Sequence, residues 1–223
     1  MRSRQIHSIE DLLGLVQEYR KATVIYRGVT SSGYELVPKV GRRRKGKKVL
    51  QPKDERYILS LFKQRAIAHL NRTPDDDWEW LAIAQHHGLP TRLLDWTRNP
   101  LVAAYFAVVE NCDGDSAIYA YKSSRYLQIQ RHPDPFQVDR VGRIVPNHTT
   151  LRITVQSGLF TIHPRPAVPF VGSGSDIVKF VIPALQRKQI KQTLNKVGID
   201  TSSMFPDLDG IARHIDWLRT DEY

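Results

Sequence analysis

The chain has 223 residues, 41% of them hydrophobic, with nine Tyr, seven Phe and four Trp; this apolar content supports a sizeable core and excludes a globally disordered chain. A single cysteine, Cys112, excludes an internal disulfide, a Cys-x-x-Cys redox pair and a thiolate metal cluster, and it points to a reducing compartment. The net charge of +10 suggests nucleic acid until it is located: Lys39, Arg42, Arg43, Arg44, Lys45, Lys47, Lys48 and Lys53 supply eight of it between residues 39 and 53, and the remainder is ordinary for a globular domain.

The N-terminus begins basic but runs into Glu10 and Asp11 without an apolar stretch of secretory length, and nowhere is there a run of about 18 apolar residues. A cytoplasmic protein without membrane contact is expected. Ser8 followed by Asp11 has the form of a capping box, and Ile9, Leu12, Leu13, Val16 and Tyr19 recur at helical spacing, predicting a helix over about 8–20. Thr23-Val24-Ile25-Tyr26 then reads as a strand that delivers Arg27-Gly28 at its end. Glycines and the charge run predict a long loop from Val29 to Lys53. A helix opens at Pro52 and stops at Thr73-Pro74; the next starts at Asp75-Asp76-Asp77, where acids suit the helix dipole, and ends at Gly88.

Asn99-Pro100 is an N-cap followed by Pro at the first helical position, and the apolar run Leu101 to Val109 predicts a helix buried in the core. Strands are expected at Ala117–Tyr121 and Asp176–Ile182, with weaker signals near 152–156 and 160–163. The glycine-rich Gly172 to Asp176 stretch precedes a strand and not a helix, so it reads as a turn and not as a phosphate cradle. A helix bearing Lys188, Lys191 and Lys196 follows Pro183, and a last amphipathic helix spans Met204–Leu218. The sum is one helix-rich α+β domain around a central, mostly antiparallel sheet.

The densest polar segment runs from Gln85 to Thr97, expected as a linker between two helices and pinned against the core. Beside the reading of a site stands a structural one, in which Asp95 and Thr97 cap the next helix and Arg92 pairs with Asp95. His86-His87 lacks a partner at metal-ligand spacing, so no metal is expected; one of the two is expected as a core histidine. Arg27 either grips a phosphate or carboxylate or is salt-bridged to Asp95, and both alternatives put it at the same cleft; Gly28 permits close approach by a ligand or another part of the chain.

Tyr26-Arg27-Gly28, the run from Gln85 to Pro100, and Gln156-Ser157-Gly158-Leu159-Phe160-Thr161 together resemble the FRG domain, a family named for its Phe/Tyr-Arg-Gly motif, over about residues 8–185. The resemblance implies one domain across 1–223, with a helical extension over 183–220, and carries no established activity. A weaker similarity links the same residues to arginine-specific ADP-ribosyltransferases: Tyr26-Arg27-Gly28 matches their aromatic-Arg-Gly strand, and Asp95-Trp96-Thr97 before an Ala- and Phe-rich helix matches their second element. Gln156 falls near the position of their catalytic Glu.

That similarity implies an ADP-ribosyltransferase-like sheet, with NAD as substrate and no required cofactor. Arg27, Asp95, Thr97 and Gln156 would be catalytic, and Tyr26, Gly28, Gln85, His86 and Trp96 would join Arg27 in binding. In the implied roles Arg27 holds the NAD pyrophosphate or ribose, Thr97 braces that Arg, and Trp96 forms an aromatic wall. Gln156 is neutral and cannot offset the charge of an oxocarbenium ion, so either Asp95 supplies the carboxylate or the nucleotide is bound without turnover. The setting loosely implied is bacterial stress or phage defence. The alternative is a nucleic-acid-binding module that uses the basic 39–53 loop, with Arg42, Arg43, Arg44, Lys45, Lys47 and Lys48, and the Lys-bearing helix after Pro183, with the polar motifs structural; a protein scaffold is a third reading.

Overall fold

A computed structural model of the protein describes residues 2–19, 23–42, 50–122, 126–145, 154–173 and 176–220. Its strands are β1 (Arg2–Gln5), β2 (Val24–Val29), β3 (Leu93–Thr97), β4 (Ser116–Lys122), β5 (Gly142–Ile144), β6 (Gly158–Ile162) and β7 (Ile177–Ile182). They form one sheet in the order β1-β7-β4-β2-β3-β6-β5, with β1 parallel to β7 and the other pairs antiparallel. The helices are α1 (Ile9–Glu18), α2 (Pro52–Ala66), α3 (Asp77–His86), α4 (Pro100–Val108), α5 (Ala184–Lys196), α6 (Thr201–Met204) and α7 (Leu208–Thr220). The fold is α+β, as the periodicities predict.

The all-apolar α4 is the helix around which one core forms. Asn99 caps it by accepting the Leu101 N–H at 2.9 Å, and Pro100 needs no N–H at that position. Its Val102, Ala103, Ala104, Ala107 and Val108 pack with Tyr26 of β2, Phe180 of β7, and Leu12 and Leu15 of α1. The helix sits so close to β2 that a Cβ on Gly28 would come within 1.9 Å of the Ala103 carbonyl oxygen. Gly28 therefore serves the approach of another part of the chain, the second of the two options its sequence context leaves open.

A second core lies under α2 and α3, where Leu59, Trp78, Leu81 and Ala84 meet Leu93, Phe160 and Ile162. At its centre is an ion pair that the sequence does not announce. Arg92 donates from Nη2 to Glu55 Oε1 at 2.7 Å and from Nε to Oε2 at 3.0 Å, with both side chains almost fully buried at 1% and 3% exposure. Its remaining Nη1 donates to the Phe136 carbonyl at 3.3 Å, and the guanidinium lies over the Phe136 ring. The Arg92–Asp95 pair of the alternative, structural reading does not form, and Arg92 pairs with Glu55 instead, because Arg92 and Asp95 project from opposite faces of the extended segment.

Several elements differ from the sequence expectation. Leu93–Thr97 is not a linker but an interior strand: Leu93, Leu94 and Trp96 are strand formers buried on two faces, and the neighbouring Pro90 and Asp95 mask that pattern. The strand expected near 152–156 is absent where described, since Thr154 and Val155 are helical and Gln156 and Ser157 form a turn; 152–153 lie outside the described residues. The last helix is two, α6 and α7, because Pro206 lacks an N–H and disfavours helical backbone at Phe205. Two edge strands, β1 and β5, carry no alternating apolar signal and were not expected. In the basic loop Lys39–Gly41 forms a 3-10 turn and Arg42 Nε donates to the Val37 carbonyl at 3.0 Å, while Arg43, Arg44, Lys45, Lys47 and Lys48 lie outside the described residues. Among the described residues no helix is long and apolar enough to cross a membrane.

Removing Arg92 leaves the Glu55 carboxylate buried without its partner. Arg92→Ala is expected to lower the unfolding free energy by about 3–5 kcal/mol, measured by urea denaturation, whereas the double replacement Arg92→Leu with Glu55→Leu recovers most of the loss.

Candidate functional site

The site begins with a defect in the sheet. β2 pairs with β4 over six residues and β3 with β6 over five, but β2 and β3 meet at a single register pair, Tyr26 and Thr97. Alternation along each strand puts Tyr26, Gly28, Asp95 and Thr97 on one face and Arg27 and Trp96 on the other. A cavity of about 1260 Å³ opens where the two strands part, and it is lined by residues of both faces, including Arg27, Gly28, Asp95, Trp96, Thr97 and Gln156.

Arg27 closes the gap in the ladder. Its Nη1 donates to the Asp95 backbone carbonyl at 2.7 Å and lies 3.5 Å from Asp95 Oδ2. The Arg27 side chain is 16% exposed and that of Asp95 55%, so the carboxylate stands in the open part of the site while the guanidinium is held behind it. Gln85 Nε2 donates to the same Oδ2 at 2.8 Å, and the Thr91 hydroxyl in turn donates to Gln85 Oε1 at 2.6 Å. Thr91 also accepts from the Leu93 N–H at 3.1 Å, which ties this relay to the start of β3. Asp95 is consequently fixed in direction by two elements, α3 and β2.

Thr97 does not contact Arg27 in the described geometry. Its hydroxyl donates to the Gln156 carbonyl at 2.7 Å and accepts from the Asn99 N–H at 3.0 Å, so it fastens the Gln156 turn to the start of α4. Gln156 in turn donates from Nε2 to the Met204 carbonyl at 2.9 Å. The next residue, Ser157, has φ of +48°, the only non-glycine in the left-handed region among the described residues, and it holds the turn between Gln156 and Gly158 at the cavity wall. Tyr26 contributes to the lining, but its ring is buried with α4 and its hydroxyl donates to the Tyr19 carbonyl at 3.3 Å. Burial pushes that hydroxyl up to about 12, so it stays protonated.

Of the adjacent histidines, His86 is half-buried at the cavity and His87 is exposed, so neither is the expected core histidine. That role belongs to His163, which the sequence reading missed because it follows β6 with no motif around it. Trp96 Nε1 donates to Thr161 Oγ1 at 2.8 Å, and Thr161 Oγ1 lies 2.8 Å from His163 Nε2. The buried indole is therefore held in place by its polar end, and only part of it reaches the cavity.

The outer wall comes from the segment after β2. Ser32 donates its N–H to Asp115, the Tyr119 hydroxyl donates to the Tyr34 carbonyl at 2.7 Å, and Lys39 Nζ donates to the Gly88 carbonyl at the end of α3. Gly41 lies flush on the Pro166 carbonyl, where a Cβ would approach to 1.9 Å. Tyr34, Glu35, Val37 and Arg42 thereby complete the cavity opposite Gln85 and Asp95.

Residues 22–116 match the family model of the FRG domain, a narrower span than the sequence resemblance covers; it includes Tyr26-Arg27-Gly28 and the Gln85–Pro100 run and stops short of Gln156. No curated protein and no solved structure matches the chain.

Burial, aided by the nearby charge of Arg27, holds His163 down to about 3, far below its ordinary value of 6.5. The folded state keeps it neutral where the unfolded chain takes up a proton, so its contribution is complete above pH 6.5 and is lost as pH falls from 6.5 toward 3. Between pH 7 and pH 5 the wild type is expected to lose about 2 kcal/mol more stability than His163→Gln, measured by urea unfolding at both values.

Proposed function

Starting from a chain that carries an FRG domain, we propose that the cavity between β2 and β3 binds a nucleotide of the NAD type. The observation that carries this reading is the convergence of Arg27, Gln85, Asp95, Thr97 and Gln156, from three distant parts of the chain, on one cavity of about 1260 Å³. Cavities for single small ligands run about 300–1,000 Å³, so this one has room for two linked nucleotide halves. Arg27 spends Nη1 on Asp95; a guanidinium carries five N–H donors, and the remaining ones suit a diphosphate.

Asp95 is the group on which chemistry depends in this proposal. Its carboxylate is oriented by Gln85 and exposed to the cavity, whereas the Gln156 amide nitrogen is engaged by Met204. In ADP-ribosyl transfer the bond between ribose C1′ and the nicotinamide nitrogen breaks, and its electron pair leaves with nicotinamide. The oxocarbenium carbon is then taken by water or an acceptor side chain, which releases its proton to solvent. Asp95 would offset the positive charge that develops, the part a neutral Gln156 cannot play. Such an activity consumes NAD, which fits a role in stress or phage defence.

The test is calorimetric titration with NAD and with ADP-ribose, together with a measurement of NAD consumption. Arg27→Ala is expected to weaken binding at least tenfold, about the value of a charge-assisted contact, and Asp95→Asn to spare binding while abolishing any turnover. Absence of binding by the wild type, or equal binding by Arg27→Ala, contradicts the proposal.

A further inference from the structure

Arg143 is a buried cation that the cavity does not use. It lies on β5 directly across from Thr161 of β6 and is 1% exposed, and among the described residues its Nε and Nη1 have no hydrogen-bond partner. The other buried guanidiniums are provided for. Arg92 holds the Glu55 carboxylate, and Arg187 donates to the carbonyls of Glu110, Cys112, Gly114 and Thr30.

The sequence around Arg143 offers no remedy. From Arg140 to Ser175 there is no Asp or Glu, nor is there one from Ser116 to Pro133, and these stretches hold β4, Tyr126, β5 and β6. Burial lowers the affinity of Arg143 for its proton; the hydroxyls of Tyr126 and Tyr121 oppose that and the charge of Arg98 adds to it. A guanidinium nevertheless stays charged in a protein, so the fold buries a positive charge whose Nε and Nη1 have no partner among the described residues.

Tyr126 lies between Arg143 and solvent. The Tyr126 ring covers the guanidinium with its centroid 3.7 Å from Cζ, and Tyr126 is itself 53% exposed. Backbone pairing fixes the segment, since Tyr126 bridges Arg143 and the Leu127 N–H donates to the Arg143 carbonyl at 2.9 Å. Two unfilled donors on one planar cation, Nε and Nη1, suit a tetrahedral oxyanion with several acceptor oxygens.

We propose that Arg143, beneath Tyr126 and beside Thr161, is a phosphate-binding site separate from the Arg27 cavity. The phosphate is either the free ion or a group on a larger molecule, and the inference does not rest on the nucleotide reading of the cavity. The protein is titrated with inorganic phosphate and with adenosine monophosphate at constant ionic strength, with acetate as control, by calorimetry and thermal unfolding. In an Arg27→Ala background, which removes the diphosphate grip of the cavity, saturable binding of phosphate is expected, weakened at least tenfold when Arg143→Gln is added. Competition by adenosine monophosphate identifies a phosphate carried on a larger ligand; its failure to compete identifies the free ion. Should Arg143→Gln not fold, Arg143→Lys keeps the charge but loses the fork and is expected to weaken phosphate at a wild-type melting temperature in phosphate-free buffer. No saturable phosphate binding by the wild type, or binding unchanged in the Arg143 variants, overturns the inference.

Discussion

The separation of β2 from β3 is the constraint on which the rest of this structure depends. Two neighbouring strands that share only the Tyr26–Thr97 register pair leave backbone groups without a ladder, and Arg27 supplies a substitute by donating to the Asp95 carbonyl. The same opening admits residues of both sheet faces to one cavity. Gly28 allows this by letting α4 pack flush on β2, which holds that strand in line with β4 while β3 follows β6. Packing on one side of the sheet and the opening within it are thus linked through adjacent residues, Arg27 and Gly28.

The buried and half-buried arginines show how the surroundings of a charge decide its use. Arg92 is met by a buried carboxylate in bidentate geometry and belongs to the core. Arg187 is absorbed by backbone carbonyls of the segment after α4. Arg27 is held by a backbone carbonyl and, at longer range, by a carboxylate that is itself open to the cavity, so it is positioned without being neutralised. Arg143 has an aromatic cover and unfilled donors. Of the four, only Arg143 has buried donors without a partner among the described residues.

Much of the architecture was legible because local signals agreed with tertiary demands. Asn99-Pro100 and the apolar run after it specify α4, and Ser8 caps α1 by accepting the Asp11 N–H at 3.3 Å. The failures have physical reasons. β3 hides among Pro90, Arg92 and Asp95, since an interior strand next to a site carries polar residues that read as loop. β1 is an exposed edge strand of Arg, Ser, Arg and Gln, without the alternation that marks burial. Of the site, the segments that meet were legible from their motifs, but their contacts were not: Arg92 reaches Glu55 and Thr97 reaches the Gln156 carbonyl, pairings set by strand register. His163 and Arg143 sit in plain surroundings and become notable only through burial.

The most direct measurement is a crystal structure of the protein grown with ADP-ribose. The account predicts density between β2 and β3, with the diphosphate against the Arg27 guanidinium and a ribose hydroxyl within hydrogen-bond distance of the Asp95 carboxylate. An empty cavity at saturating ligand, or a ligand bound with no contact to either residue, would contradict it.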